Sequence, residues 1–147
     1  MNVKEIAIGS DHAGFDLKET VKNYLLKINV KVKDFGPNSD ARADYPDYAH
    51  PVATYVENNQ DVFGILICGS GNGINMTANK HQEIRSALCW QPEIAELARL
   101  HNNANILVLP ARYISIEEAL KCVDIFLKTE FEGGRHLKRI NKIPKKQ

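Results

Sequence analysis

No apolar run in this sequence is long enough to cross a bilayer: the longest, Phe63–Cys68 and Ile106–Pro110, fall far short of the roughly 20 residues a membrane helix needs. A dominant charge is also missing. Lys and Arg number 19 against 18 Asp and Glu, a net charge of +1, which excludes a strongly basic nucleic-acid binder and a strongly acidic chain alike. Cysteine is scarce. Cys68, Cys89 and Cys122 are three in number and have no paired spacing, so a disulfide framework and a CxxC metal site are excluded. No histidine pair has metal-ligand spacing and no HExxH occurs, so neither a metal nor a cofactor is expected. The opening Met1–Glu5 is polar and lacks the apolar core of a signal peptide. With unpaired thiols, this points to a reducing compartment, the cytoplasm. No repeat, low-complexity tract or linker divides the 147 residues, so residues 1–147 are expected to form one domain. Its 44% hydrophobic content supplies a core and excludes intrinsic disorder.

What is present is a regular alternation of short apolar runs and helical patterns. Val3–Ile8 reads as an alternating strand, followed by a helix from about Ala13 to Leu26 and a second strand over Val30–Phe35. Gly36-Pro37 closes that strand, and Asn38–Tyr45 reads as a loop. Pro46 suits the first turn of a helix that reaches about Asn58. Val62–Ile67 has the continuous apolar character of a strand buried on both faces. Beyond it the pattern predicts a helix over Ile74–Lys80, a strand over Ile84–Leu88, a helix from Pro92 to His101 and a strand over Ile106–Leu109. Ser115 is placed to cap a helix over Ile116–Lys128, and the basic tail is expected to be helical. This order predicts an α/β fold: a single doubly wound, Rossmann-like domain with a five-stranded parallel sheet and helices on both faces. Ligands of such sheets bind outside the carboxyl ends of the strands, so residues just past each strand are the first candidates.

Those residues carry chemistry. Ser10-Asp11-His12 follow the first strand, Cys68 and Gly69-Ser70-Gly71-Asn72-Gly73 follow the third, and Arg112 follows the fifth. His101-Asn102-Asn103 end the helix before the fifth strand and are expected to join the same rim. The glycine loop is neither a P-loop nor a GxGxxG. It reads either as a tight turn or as an anion cradle of backbone N–H groups. A thiol beside such donors can be acidified into a nucleophile or general base. The alternative for Cys68, and the better reading for Cys89 and Cys122, is a small buried hydrophobe. His12 and His101, each alone, read better as surface or capping residues and gain a functional reading beside Asp11 and Cys68, while His50 and His81 have no partner in sequence and read as structural or exposed. Asp34-Phe35-Gly36 matches the letters of a kinase motif without any of its companions and reads as a strand end and turn. Arg135 and Arg139 share a helix face, and with His136, Lys138, Lys142, Lys145 and Lys146 they form either a solvated tail or a phosphate-binding one.

Taken in order, Gly9-Ser10-Asp11-His12-Ala13-Gly14, Asp44-Tyr45-Pro46, Cys68–Ile74, Ala78-Asn79-Lys80, His101-Asn102 and Glu132-Gly133-Gly134-Arg135-His136 resemble the type B ribose-5-phosphate isomerases. These belong to the sugar-phosphate isomerases that also act on galactose and allose 6-phosphates, and the likeness runs from about Val3 to Ile140. It implies metal-free interconversion of ribose 5-phosphate and ribulose 5-phosphate through an enediolate. It also implies a homodimer or homotetramer with sites at the subunit interface, and it assigns no role to nucleic acid or membrane. By the resemblance Cys68 is the base, His101 opens the sugar ring with Asp11 assisting, and Ser70 helps move the proton between oxygens. The backbone of Gly69, Ser70, Gly71, Asn72 and Gly73 holds the oxyanion, and Tyr45 and Asn102 contact the sugar. His12, Arg112, Arg135 and Arg139 hold the phosphate, some of them from a partner subunit that the extension from about residue 130 would meet. Ile74-Asn75-Met76 offers no glutamate, which marks the cysteine branch. Asn103 and Pro110-Ala111 depart from the usual pattern and leave a six-carbon sugar phosphate open as substrate, with a non-catalytic phosphosugar binder as the remaining alternative.

Overall fold

Two prolines and a serine start three of the helices. Pro46 and Pro92 stand in first turns, where a missing N–H leaves no bond unmade. Ser115 accepts the N–H of Glu118 at 3.1 Å. The computed structural model describes residues 3–145, and Lys146 of the basic tail lies outside them. The elements run β1 (Glu5–Ser10), α1 (Phe15–Lys27), β2 (Lys31–Asp34), α2 (Pro46–Glu57), β3 (Val62–Cys68), α3 (Asn72–Ala78), β4 (Ser86–Leu88), α4 (Pro92–Asn102), β5 (Ile106–Pro110), α5 (Ile116–Lys128) and α6 (Arg135–Ile140). All strand pairs are parallel, in the order β2-β1-β3-β5-β4.

Given that order, right-handed crossovers decide which face each helix covers. Crossovers toward the β4 edge, β2 to β3 and β3 to β4, lay α2 and α3 on one face. Crossovers the other way, β1 to β2 and β4 to β5, lay α1 and α4 on the opposite face, where α5 joins them. The strands feed both faces alternately. Ile6, Ile8, Ile65, Ile67, Leu107 and Leu109 pack against α1, α4 and α5, while Ala7, Leu66, Ile106 and Val108 pack against α2 and α3. Hence β1 is buried without a break from Glu5 to Ser10 and is not the half-exposed alternating strand its sequence suggested. It also runs on to Ser10, past the Gly9 at which the sequence suggested it would end.

The chain leaves β1 toward one edge of the sheet and β3 toward the other. Adjacent strands that part in this way open a crevice at their carboxyl ends. Gly14 brings the start of α1 against β3 there: a Cβ on it would lie 2.5 Å from the backbone oxygen of Ile67. On the far side of α1, Lys18 is fully buried. Its Nζ donates to Asp34 at 2.8 and 3.0 Å and to Glu19 at 2.8 Å. Burial opposes ionisation of Asp34, but Lys18, the Gly36 N–H and Lys22 outweigh it and hold the carboxyl below the usual range.

Candidate active site

The crevice between β1 and β3 is lined by the residues that end those strands. Ser10 is buried and donates to the Asp11 carbonyl at 2.9 Å. Asp11 is buried too. Its N–H donates to the Ile67 carbonyl at 3.2 Å, and its carboxylate accepts the Gly14 N–H at 3.0 Å. The side chain is therefore fixed at the mouth of β3, next to Cys68.

Cys68 ends β3 with 5% of its surface exposed. The glycine loop folds back over it, and the N–H groups of Ile74, Gly71 and Gly73 are directed at the sulfur. Gly71 makes this possible with φ +81, in the left-handed region, and its missing side chain leaves room for Leu88. The sequence left open whether this thiol is acidified or simply buried. Burial, first, and the Asp11 carboxylate push the Cys68 thiol above its ordinary value, although the three N–H groups pull the other way. The result is a base that is protonated at rest and has donors in place to hold the thiolate once formed.

Three further candidates stand around this loop. Tyr45 lies with its ring and hydroxyl against Gly73, where a Cβ would collide with it. His12 is tied through Nδ1 to the backbone of Ala43, 3.2 Å from its nitrogen and 3.1 Å from its oxygen. That leaves Nε2 as the nitrogen available to a ligand. Arg112 donates its backbone N–H to the Gly69 carbonyl at 3.0 Å and runs its guanidinium past Gly69, and Ala111 donates to the Cys68 carbonyl at 2.9 Å. The exit of β5 thus grips the entrance of the loop. Ser70 and Asn72 are exposed, and the Ser70 hydroxyl accepts the Asn72 N–H at 3.3 Å.

His101, Asn102, Arg135 and Arg139 do not join this rim within one chain. The register pairs Cys68 with Pro110 and Gly64 with Ile106. Five residues of β5 therefore separate the Cys68 edge from the Ile106 edge, about 13 Å at the usual strand rise. His101 and Asn102 close α4 just before Ile106 and so sit at the amino edge. A helix that returns the chain to begin a parallel strand must end there. The tail follows them: Glu132 donates its N–H to the Leu100 carbonyl at 3.0 Å, and α6 lies against α4 with His136 and Ile140 buried. Arg135 and Arg139 stand exposed on α6. Asn103 has no side chain to offer a sugar. It takes up left-handed φ 48 as the C-cap of α4 and accepts from Arg99 Nη1 at 2.9 Å.

Spacing along the chain also hid two histidine clusters. His50 and His81 are not partnerless: His50 Nδ1 is 2.8 Å from His81 Nε2, and His81 Nδ1 is 2.9 Å from Glu57. At the amino edge the rings of His101 and His136 stack at 4.3 Å, with Glu132 Oε2 3.7 Å from each Nε2. Sequence spacing implied no metal site, and the fold brings together there a grouping that spacing does not show: His101, Glu132 and His136 offer donor atoms that all lie within 4.8 Å of one another. Burial and the neighbouring charges of Arg135 and His101 pull the pKa of His136 down. Cys89 and Cys122 are fully buried in the core as expected.

Comparison with known proteins gives a consistent set. The Ribose/Galactose Isomerase family pattern matches residues 6–143. The chain is 43% identical over 141 residues to ribose-5-phosphate isomerase B of Escherichia coli, covering 96% of this chain and 95% of that protein. It superposes on a ribose 5-phosphate isomerase from Thermotoga maritima with TM-score 0.93 and 55% identity, over 95% of this chain and 97% of the other. A ribose-5-phosphate isomerase B from Mycoplasma genitalium, solved with bound ribulose 5-phosphate, matches with TM-score 0.91 and 48% identity, over 95% and 93% of the two chains. Among the described residues no helix is long and apolar enough to cross a membrane.

Proposed function

The chain belongs to the ribose/galactose isomerase family, and on that premise we propose that it interconverts ribose 5-phosphate and ribulose 5-phosphate through an enediolate. The observation that carries this reading is Cys68 at the parting of β1 and β3, with the backbone N–H groups of Ile74, Gly71 and Gly73 favouring its thiolate and Asp11 beside it. A proton next to a carbonyl needs a base held against the carbon and dipoles that accept the resulting charge. Cys68 takes the proton from C2 of the open-chain aldose and returns it to C1. Meanwhile the hydroxyl proton on O2 passes to O1, assisted by Ser70. Gly69 to Gly73 hold the enediolate oxygens, and Tyr45 flanks the sugar. Metal and cofactor have no step to perform in this proton exchange.

His101, as the ring-opening proton donor, acts from the amino edge of a second copy, together with Asn102 and the phosphate-binding Arg135 and Arg139. His12 and Arg112 come from the same chain as Cys68. The support for this division is the register of β5, which keeps the two sets at opposite ends of one sheet. Two copies related by a two-fold axis each supply what the other lacks, so the working unit is a homodimer or a tetramer built from it, and residues 130–145 lie where a partner would meet them. Three free thiols suit a reducing compartment such as the cytoplasm.

An isomerase assay in the presence of chelator tests the reading, with ribose 5-phosphate, allose 6-phosphate and galactose 6-phosphate as substrates for wild type and Cys68→Ala. Pentose turnover that survives chelator and disappears in the variant is the expected result. Faster turnover of a hexose phosphate would keep the chemistry and change the substrate. Tight phosphosugar binding without turnover would leave only a binding module.

A further inference from the structure

The side chains of His101 at the end of α4 and of Glu132 and His136 around the start of α6 form a grouping that the ring-opening role of His101 alone does not account for. His101, His136 and Glu132 each offer a donor atom within 4.8 Å of the others, and Glu132 Oε2 is 3.7 Å from the Nε2 of each histidine. Donors held about 2.1 Å from a tetrahedral zinc ion stand about 3.4 Å apart. The two carboxylate contacts need to close by only a few tenths of an ångström, whereas the wider gap between the imidazole nitrogens closes only as one ring turns out of the stack. Two imidazoles and one carboxylate suit a borderline transition dication, whereas calcium and magnesium prefer oxygen alone.

A second observation is independent of that spacing. Among the described residues, His136 Nε2 is a buried polar atom that finds no hydrogen-bond partner, on a side chain only 8% exposed. Such an atom is costly to leave unsatisfied, and this one faces the other two donors. Its surroundings are also anchored: the Glu132 N–H is bonded to the Leu100 carbonyl at 3.0 Å, and His136 follows one helical turn after Glu132. His101 is 39% exposed on its side chain and is free to turn out of its stack with His136 and present Nε2 to the same point.

We propose that His101 Nε2, His136 Nε2 and Glu132 Oε2 bind one zinc-like dication, with the fourth position left to water or a substrate oxygen, and that the ion switches the isomerase off by holding His101, the residue assigned to ring opening. The binding site stands on its own; the inhibitory role rests on the function proposed above. The ion is a dissociable inhibitor and takes part in no bond making or breaking in the reaction.

The test is calorimetric titration of the chelator-stripped full chain with Zn²⁺, for wild type, Glu132→Gln and His136→Gln, with ribose 5-phosphate turnover followed at the same buffered zinc concentrations. One ion per chain is expected, with affinity reduced at least on the order of 10–100-fold in each variant, the loss that removal of even a supporting partner brings. Turnover by wild type should fall over the range in which zinc binds and return with chelator, and Glu132→Gln should need correspondingly more zinc for the same inhibition. Glu132 is half exposed on its side chain, so its variant carries the test even where His136→Gln fails to fold. No saturable binding, or unchanged affinity in Glu132→Gln as capture by Cys68 or by His50 and His81 would give, overturns the site. Binding without inhibition overturns the inhibitory role. Zinc binding weakened by the variants, in a chain that never turns over a sugar phosphate, upholds the site and removes the proposed function instead.

Discussion

The ionisation of Cys68 decides how this protein should respond to pH. The thiol is 5% exposed, and burial together with Asp11 outweighs three backbone donors, so its pKa lies above its ordinary value. From an ordinary thiol value of about 8.5, forming the thiolate at pH 7 already requires about 2 kcal/mol, and the raised value adds to that. Only a few per cent or less of the chains carry the thiolate at pH 7, and each unit of pH multiplies that population by about ten until the pKa is reached. The rate of alkylation at Cys68 should therefore climb about tenfold between pH 7 and pH 8 and go on climbing past about pH 8.5. Asp11→Asn removes a carboxylate that opposes ionisation and should shift the whole curve to lower pH. Iodoacetamide labelling followed by peptide mass spectrometry reads the rate at this residue alone, and Cys89 and Cys122, fully buried, should lag behind it. A labelling rate that levels off by pH 7 would mean that the N–H cradle wins over burial, and the balance drawn here would be wrong.

Other expectations follow from the packing. Gly14→Ala drives a Cβ into the backbone of Ile67, 2.5 Å from its oxygen. Overpacking of this kind costs about 1–3 kcal/mol, and because the Gly14 N–H holds Asp11 at 3.0 Å, turnover should fall by up to about 100-fold; unchanged melting and kinetics would contradict the close approach. Asp34→Asn leaves the buried Lys18 ammonium with Glu19 alone and should cost about 3 kcal/mol by urea unfolding, with Lys18→Met milder. Because the Asp34 carboxyl is held below the usual range, its contribution is complete above about pH 4 and lost as pH falls through the lowered value. At the alkaline end, burial pushes Cys89 up to about 12 and Cys122 up to about 11. Both fold as neutral thiols, so their contribution is intact below about pH 8.5, the unfolded value, and is lost as pH rises through the folded ones. Cys89→Ala should start from lower stability, because of the cavity it leaves, and show a flatter alkaline decline in thermal unfolding.

Much of this was legible in the residues. Pro46, Pro92 and Ser115 marked helix starts that the structure keeps, and the apolar run before Cys68 marked the central strand with the reactive residue at its carboxyl end. Sheet order was not legible. It depends on which way each crossover turns, and nothing local in Ile106–Pro110 tells it to slide between β3 and β4. The placement of His101 was misread for a related reason. It precedes a strand, and a crossover helix delivers its last residues to the amino edge, away from the crevice. Nothing in the local sequence sets Lys18 apart from a surface lysine, and the approach of Asp34 accounts for its burial. The grouping of His101, Glu132 and His136 spans 36 positions of chain and exists only because the tail folds back on α4.

The most direct measurement mixes two inactive proteins. Cys68→Ala and His101→Asn, each pure, should have lost nearly all turnover of ribose 5-phosphate. Unfolded together and refolded, they form mixed dimers in which one of the two sites has an intact Cys68 from one chain and an intact His101 from the other. Random pairing then restores about a quarter of the wild-type activity. Recovery near that level would establish a site shared between copies with Cys68 and His101 on opposite sides of it. No recovery, with mixed dimers shown to be present, would place both residues in a single chain and contradict the division of the site proposed here.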